Sequence, residues 1–228
     1  YQTVLTPDSI ASVFGVRRAA ELGSAQTLPL PTILVDVTVR IIDSAGRYHF
    51  APLIFVSFGQ VNLVVPPEAA LGPAEVVITD GQNISRGEIV LEAVAPALFA
   101  ADLSGEGPPP GVLITVIDGS SRTDGFVLCG GGVDTCDSLP LDPFAMPGEV
   151  YIGLFGTGLR GHGGLSNVTA TIGGEEVPVS FAGPQGEFAG LDQVNLGPLP
   201  RALAGRGEVE IVISVSGKRS NPVTVVLE

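Results

Sequence analysis

The chain has 228 residues, with 11 Lys and Arg against 24 Asp and Glu and a formal net charge of −13. Its single lysine (Lys218) and scattered arginines offer no cationic cluster for phosphates, which argues against a nucleic-acid partner. Gly 31 and Pro 19 together make about a fifth of the residues, a composition of many turns and short elements rather than long helices.

The length suits two domains of roughly 110 residues, each able to bury its own core. No stretch approaches the ~20 apolar residues of a membrane-spanning helix, so no membrane span is expected. Ser9 to Gly15 alternates loosely and stops at glycine, which predicts a short strand. Arg17 to Thr27 is the one helix-like stretch, ended by Leu28-Pro29-Leu30-Pro31. Ile33 to Ile42 predicts a strand, with Val35, Val37, Val39 and Ile41 on one face and Asp36, Thr38 and Arg40 on the other. Asp43 to Gly46 makes a turn, and Tyr48 to Val56 starts the return strand. Gln60-Val61-Asn62-Leu63, Glu75 to Thr79 and Glu88 to Glu92 follow, with a turn at Asp80-Gly81. About seven short strands with a turn every eight to twelve residues favour a β-sandwich.

Beyond a junction at Ala95 to Phe99, a Gly/Pro loop leads to a strand at Val112 to Ile117, closed by Asp118-Gly119. A loop bearing Cys129 and Cys136 comes next, and then the first half recurs. Glu149 to Gly156 echoes Ser9 to Gly15, and Val168 to Ile172 echoes Val37 to Ile41. Val177 to Phe181 echoes Ala51 to Phe55, and Gln193-Val194-Asn195-Leu196 repeats Gln60 to Leu63. Glu208 to Gly217 and Pro222 to Leu227 close the second half as Glu75 to Gly81 and Glu88 to Glu92 close the first. The expected domains are residues 1–95 and 96–228, the second including the junction and cysteine loop at 96–147. The two cysteines, seven positions apart, read as a local disulfide in an oxidising compartment. Free thiols in a cytosolic protein are the plainer alternative, and a metal site is disfavoured because neither histidine adjoins them.

The order of motifs resembles an uncharacterised repeat family found at the C-termini of many secreted acidobacterial proteins. The residues that carry the likeness are Pro7 to Ile10 with Phe14-Gly15, Leu28 to Pro31, Gly59 to Asn62 and Ala95 to Phe99. In the second half they are Phe155 to Leu159, Ile172 to Gly174, Ala182 to Gly186, Asp192 to Asn195 and Ser220 to Pro222. The resemblance implies an all-β chain of two tandem immunoglobulin-like sandwiches, similar to IPT/TIG domains, in an exported protein at the cell surface or outside it. The family has no established activity, so no functional residues carry over.

Candidate chemistry is sparse. Gly156-Thr157-Gly158-Leu159-Arg160-Gly161 has G-x-G-x-x-G spacing, but another strand follows it rather than the helix a dinucleotide site needs, so a tight loop is expected and no cofactor. His49 and His162 are the only bases titrating near neutrality, and neither has a nucleophile's sequence context. Glu175-Glu176, and Asp192 with Glu187, are weighed as glycosidase couples; solvated loop carboxylates are the expected reading. Asp134 and Asp137, with Asp118 and Asp124, could offer oxygens to Ca²⁺, although EF-hand spacing is absent. Gln60 and Asn62, like Gln193 and Asn195, share one strand face opposite Val61 and Val194. A polar binding face is one reading; amides bonded to neighbouring loop backbones is the preferred one.

The chain therefore reads as a non-catalytic structural or interaction module. A carbohydrate-binding or adhesion module is the rival, with a glycan as its partner and exposed Tyr48 or Tyr151 as its feature. Phe14, Phe55, Phe155 and Phe181 are expected in the core. The charged fraction is 15% against roughly 25% in ordinary soluble domains, and one lysine guards the strand edges. By the resemblance, strand-forming residues would precede Tyr1. Self-association at an unfilled strand edge, giving a fibre or surface layer, or docking on a larger protein partner, is the resulting expectation.

Overall fold

The computed structural model describes residues 3–15, 21–129 and 136–228. Strands separated by turns and short loops form two compact units, Tyr1–Ala95 with Gly186–Gly190 and Pro96–Gln185 with Leu191–Glu228.

In the first unit the strands are β1 (Val4–Leu5), β2 (Ile10–Phe14), β3 (Gly23–Ser24), β4 (Ile33–Leu34) and β5 (Val37–Ile42). They continue as β6 (Tyr48–Phe50), β7 (Leu53–Val56), β8 (Gln60–Val64), β9 (Gly72–Thr79) and β10 (Ile84–Leu91). One sheet runs β1-β10-β9-β5-β4 with β6 beside β5, and the other β2-β8-β7-β3. The two-residue period sends Val37, Val39 and Ile41 inward from one sheet and Val61 and Leu63 from the other. With Leu53, Val56, Val76, Ile78 and Leu91 they form one continuous core, so the sheets pack face to face as a sandwich.

Three expectations change here. Of the helix-like stretch, residues 17–20 lie outside the described residues; Gly23 and Ser24 are a strand paired with β7. A tertiary ladder partner outweighs weak local helix preference. The stretch from Ile33 to Ile42 is a hairpin rather than one strand, because Val35 and Asp36 turn with φ of 49° and 61°. Positive φ at two successive residues is the backbone of a two-residue hairpin turn. The return strand breaks at Ala51-Pro52: β6 pairs in the first sheet and β7 in the second. Proline has no N–H to carry the ladder onward, and the chain changes sheets there.

The second unit begins with β11 (Ala97–Leu98), β12 (Gly111–Ile117), β13 (Ser120–Gly125), β14 (Val127–Cys129) and β15 (Cys136–Ser138). Next come β16 (Glu149–Thr157), β17 (Val168–Ile172), β18 (Glu175–Val177), β19 (Val179–Pro184) and β20 (Asp192–Leu196). The last three are β21 (Gly207–Val215), β22 (Lys218–Arg219) and β23 (Val223–Leu227). One sheet is β13-β12-β16-β20-β19 with β11 beside β16; the other is β18-β17-β21-β22 with β23 beside β21. The two units share their plan in detail. β16, β20 and β19 stand as β2, β8 and β7 do, and β17, β21 and β23 as β5, β9 and β10 do. A register shift lies between Leu53 and Phe55 against β8, and again between Val179 and Phe181 against β20. Parallel pairing of β1 with β10 recurs as a bridge of Leu141 to Leu227.

Between β11 and Leu141 the second unit carries an insertion. Its hairpin β12–β13 turns at Asp118 and Gly119, with φ of 49° and 79°; the return strand β13 was not legible in the polar sequence Ser120 to Gly125. The second hairpin, β14–β15, brings Cys129 opposite Cys136, and the two are disulfide-bonded. Closing so short a loop contributes about 2–3 kcal/mol in the chain-entropy account. Replacing both cysteines by serine should lower unfolding stability by that amount, measured by chemical denaturation of the second unit's signal. Unreduced protein should take up no alkylating agent; two labelled cysteines without reductant would refute the bond.

Candidate functional site

Two buried carboxylates, one in each unit, organise the polar groups of the protein. Asp43 follows β5, and its side chain is fully buried. Its Oδ1 accepts the N–H groups of Ala45 (2.9 Å) and Arg47 (3.0 Å), while Oδ2 accepts that of Ala70 (3.0 Å). Nε2 of His49 lies 3.0 Å from the same Oδ2. Because an ionised carboxylate only accepts, that nitrogen carries the proton. The Arg47 guanidinium is 3.2 Å away, and Glu68 lies 3.6 Å from the other ring nitrogen of His49. The Ala70 N–H, and after it His49, hold the Asp43 carboxyl well below the usual carboxylate range. Two loops distant in sequence are thereby fastened to one charge.

Asp192 opens β20 and is also fully buried. Its Oδ2 accepts the backbone N–H of Leu159 (2.7 Å) and Arg160 (3.3 Å), and the Arg160 Nε donates to Oδ1 at 2.6 Å. The Arg160 guanidinium reaches on to the Leu191 carbonyl at 2.9 Å. The glycine-rich stretch Gly156 to Gly161 therefore does wrap its amides around an anion, but the anion is this protein's own carboxylate. An acid-base couple of Asp192 with Glu187 does not arise, since Asp192 has its oxygens turned inward to these donors. Of the other pair, Glu175 is salt-bridged to Arg206.

Neither histidine presents a base. His49 is held between Asp43 and Glu68. At His162 the Nε2 donates to the Ala182 carbonyl at 3.1 Å, and Nδ1 accepts the Gly164 N–H at 2.9 Å. The ring is thus fixed as the Nε2–H tautomer with its lone pair occupied. No group of three or more His, Cys, Asp or Glu that could hold a metal occurs among the described residues; Asp134 lies outside them.

The repeated amides take a partner different from the one expected. Gln60 Nε2 donates to Asn62 Oδ1 at 2.7 Å, and Gln193 Nε2 to Asn195 Oδ1 at 2.8 Å. Each pair is a side-chain clasp along one strand, on the outer face of its sheet; in the first unit Ser12 Oγ adds a bond to Asn62 at 2.9 Å. Val61 and Val194, between them, are fully buried. Flanking phenylalanines lie on the same outer faces: Phe14 is paired with Gln60, Phe55 with Asn62, Phe155 with Gln193 and Phe181 with Asn195. The expectation that these four fill the core is corrected. Ala11 and Val13, and Ile152 and Leu154, take the inward places of their strands, and alternation leaves the phenylalanines outside; Phe14 is 57% exposed.

Asn221, present above only within the Ser220 to Pro222 motif, has a role that the sequence did not assign. Its Oδ1 accepts the Leu98 N–H and its Nδ2 donates to the Leu98 carbonyl, both at 2.9 Å. A side-chain amide thus substitutes for a neighbouring strand and pins β11. The signal was the Ser220-Asn221-Pro222 motif, where an amide precedes a residue that cannot donate. Exposed aromatics do gather at one edge: Tyr48 and Phe50 on β6 stand edge-to-face with ring centres 6.2 Å apart. Tyr151 is half-buried, and its hydroxyl donates to Glu149 at 2.9 Å, which raises its pKa.

No family model matches the chain, and no curated protein matches it in sequence. Among solved structures it is similar to bovine butyrophilin, at 13% identity and a TM-score of 0.31 over 100% of this chain and 95% of that one. It is also similar to a chimeric titin Z1Z2 at 13% identity and 0.22, over 100% of this chain and 92% of that one. Domains 5–6 of the S-layer protein SbsC align at 11% identity and 0.27, over 99% and 92%. Each unit sets β2, β8 and β7, or β16, β20 and β19, side by side in one sheet as strands B, E and D, and β5, β9 and β10, or β17, β21 and β23, in the other as strands C, F and G. That is the arrangement of an immunoglobulin-like sandwich, and the chain is a tandem of two.

The depressed pKa of Asp43 stabilises the first unit fully above the unfolded carboxyl pKa of about 4, and that stabilisation fades as pH falls below it. Asp43→Asn should therefore flatten the acid limb of a stability-versus-pH curve, the two proteins converging at low pH. Asp192→Ala should cost about 3–5 kcal/mol by leaving Arg160 largely buried without its partner; urea denaturation measures it, and a loss below 1 kcal/mol would show the pair to be dispensable.

Proposed function

We propose that this chain is an exported, non-catalytic structural or interaction module, and that it serves as a subunit of a homopolymeric fibre or surface layer. The observation that carries the reading is its surface. Large apolar side chains stand exposed on both units, among them Phe14, Phe58, Leu71, Leu103 and Phe188, while only 15% of residues are charged. With few charges on the surface, strand edges and apolar side chains are left unguarded against pairing with another chain. The groups that might otherwise have done chemistry are spent on internal bonds: Asp43, Asp192, His49 and His162 each hold a loop. The Cys129–Cys136 disulfide supports an oxidising compartment.

A second reading, adhesion to a glycan, is favoured by Tyr48 and Phe50, which are 65% and 48% exposed on neighbouring positions of one face. Aromatic rings of this kind stack on sugars, and a glycan array answered by Tyr48→Ala decides that reading. For assembly, light scattering and electron microscopy of native material at tens of micromolar should show polymers, since weak interfaces become visible at roughly that concentration. A monomer under those conditions would refute the polymer.

A further inference from the structure

The two units treat one sheet edge differently. In the second unit the outer side of β16 is covered along its length: β12 pairs with Glu149 to Leu154 and β11 with Gly156 and Thr157. The corresponding strand of the first unit is β2, Ser12 standing opposite Asn62 as Gly153 stands opposite Asn195. Among the described residues, β2 pairs with β8 alone and ends its sheet. Ile10 has a partner of its own, so the open part is Ser12 to Phe14. The Gly15 N–H bonds to Gly59 and the Ser9 carbonyl to Val65. Antiparallel alternation then turns the N–H and C=O groups of Ser12 and Phe14 away from β8.

Sheet edges are normally protected by charge, proline, a bulge or brevity. β13 carries Arg122 and Asp124, β18 carries Glu175 and Glu176, β19 has a register shift and ends at Pro184, and β3 and β4 have two residues each. β2, Ile-Ala-Ser-Val-Phe, has five residues in continuous register and none of these devices. Beside it the sandwich is not filled. A cavity of ≈190 Å³ lies between the sheets, lined by Leu5, Ala11, Val13, Ile41, Leu63 and Ile89 among others.

We propose that Ser12 to Phe14 is a β-augmentation site for an extended, uncharged strand of another polypeptide, antiparallel to β2, with an aliphatic side chain at every second position entering this cavity. The chemistry of the occupant is read from the cavity, whose lining of Leu5, Ala11, Val13, Ile41, Leu63 and Ile89 is apolar; in the second unit a strand of the chain itself, Gly111 to Val116, lies antiparallel along the corresponding edge. Main-chain bonds to Ser12 and Phe14 supply affinity and the cavity supplies selection for alternate aliphatic residues. The site rests on the interaction-module reading and names the partner that module takes.

The test adds a synthetic peptide of residues 111–117, flanked by lysines for solubility, to the full chain. Saturable binding is expected, with slowed hydrogen exchange at the Ser12 and Phe14 amides. Ser12→Pro, which removes an outward N–H at an edge where proline is tolerated, should weaken binding about tenfold. Phe14→Lys, at an exposed position, should do the same, and circular dichroism checks that both variants fold. No saturable binding with unchanged exchange at Ser12 and Phe14 overturns the proposal, as does equal binding by a scrambled peptide or by both variants. A protein that captures the peptide yet stays monomeric upholds the β2 site and refutes the polymer. A polymer that forms undiminished with Ser12→Pro and takes up no peptide upholds the polymer and refutes the site.

Discussion

Both units depend on the alternation of faces along one central strand. Val61 and Leu63 can reach the first core only if Gln60 and Asn62 lie outside it, and Val194 and Leu196 set the same condition for Gln193 and Asn195. A slip of one residue would bury two amides and expose two aliphatic side chains in each unit. The Gln-to-Asn clasp satisfies an amide where water access is partial, so register and polar satisfaction point the same way. The phenylalanines on the neighbouring strands follow the same parity, which is why they stand outside.

Loops are attached to this frame by charge rather than by packing. Asp43 gathers the turn after β5 and the segment at Ala70, and Asp192 gathers the glycine-rich loop after β16. A buried carboxylate that accepts three or more hydrogen bonds fixes several backbone amides at once, at the cost of desolvating a charge. It also explains why chemistry-like residues are present without a reactive site. A glycine loop, two histidines and a buried aspartate each suggest a mechanism taken singly. In place, each is the partner of another part of the fold.

The second unit differs from the first chiefly in what lies between β11 and Leu141. That insertion supplies the β12–β13 hairpin along β16, the disulfide hairpin, and backbone bonds to β23 from Gly107 and Leu141. The same architecture thus exists twice in one molecule, once with the edge beside its B strand covered and once with Ser12 to Phe14 facing outward. The exposed, uncharged edge and the cavity beside it belong to the unit without the insertion.

The amino-acid sequence by itself determined the class of fold, the internal repeat and the disulfide. Each rests on local signals: two-residue alternation at Val37 to Ile41, matched motifs such as Gln60 to Leu63 and Gln193 to Leu196, and two cysteines seven positions apart. Only the tertiary structure decided where strands break and which groups meet. Ile33 to Ile42 alternates through Val35 and Asp36, yet the chain turns there, because pairing with β9 begins at Thr38 and periodicity does not encode a turn. β13 is polar and was invisible because its stability comes from β12 rather than from its own side chains. The partners of Asp43 and Asp192 were equally hidden, since the donors are backbone amides, which every residue but proline carries and which a sequence cannot tell apart. Position in space, not residue type, makes Leu159 and Ala70 ligands of a carboxylate.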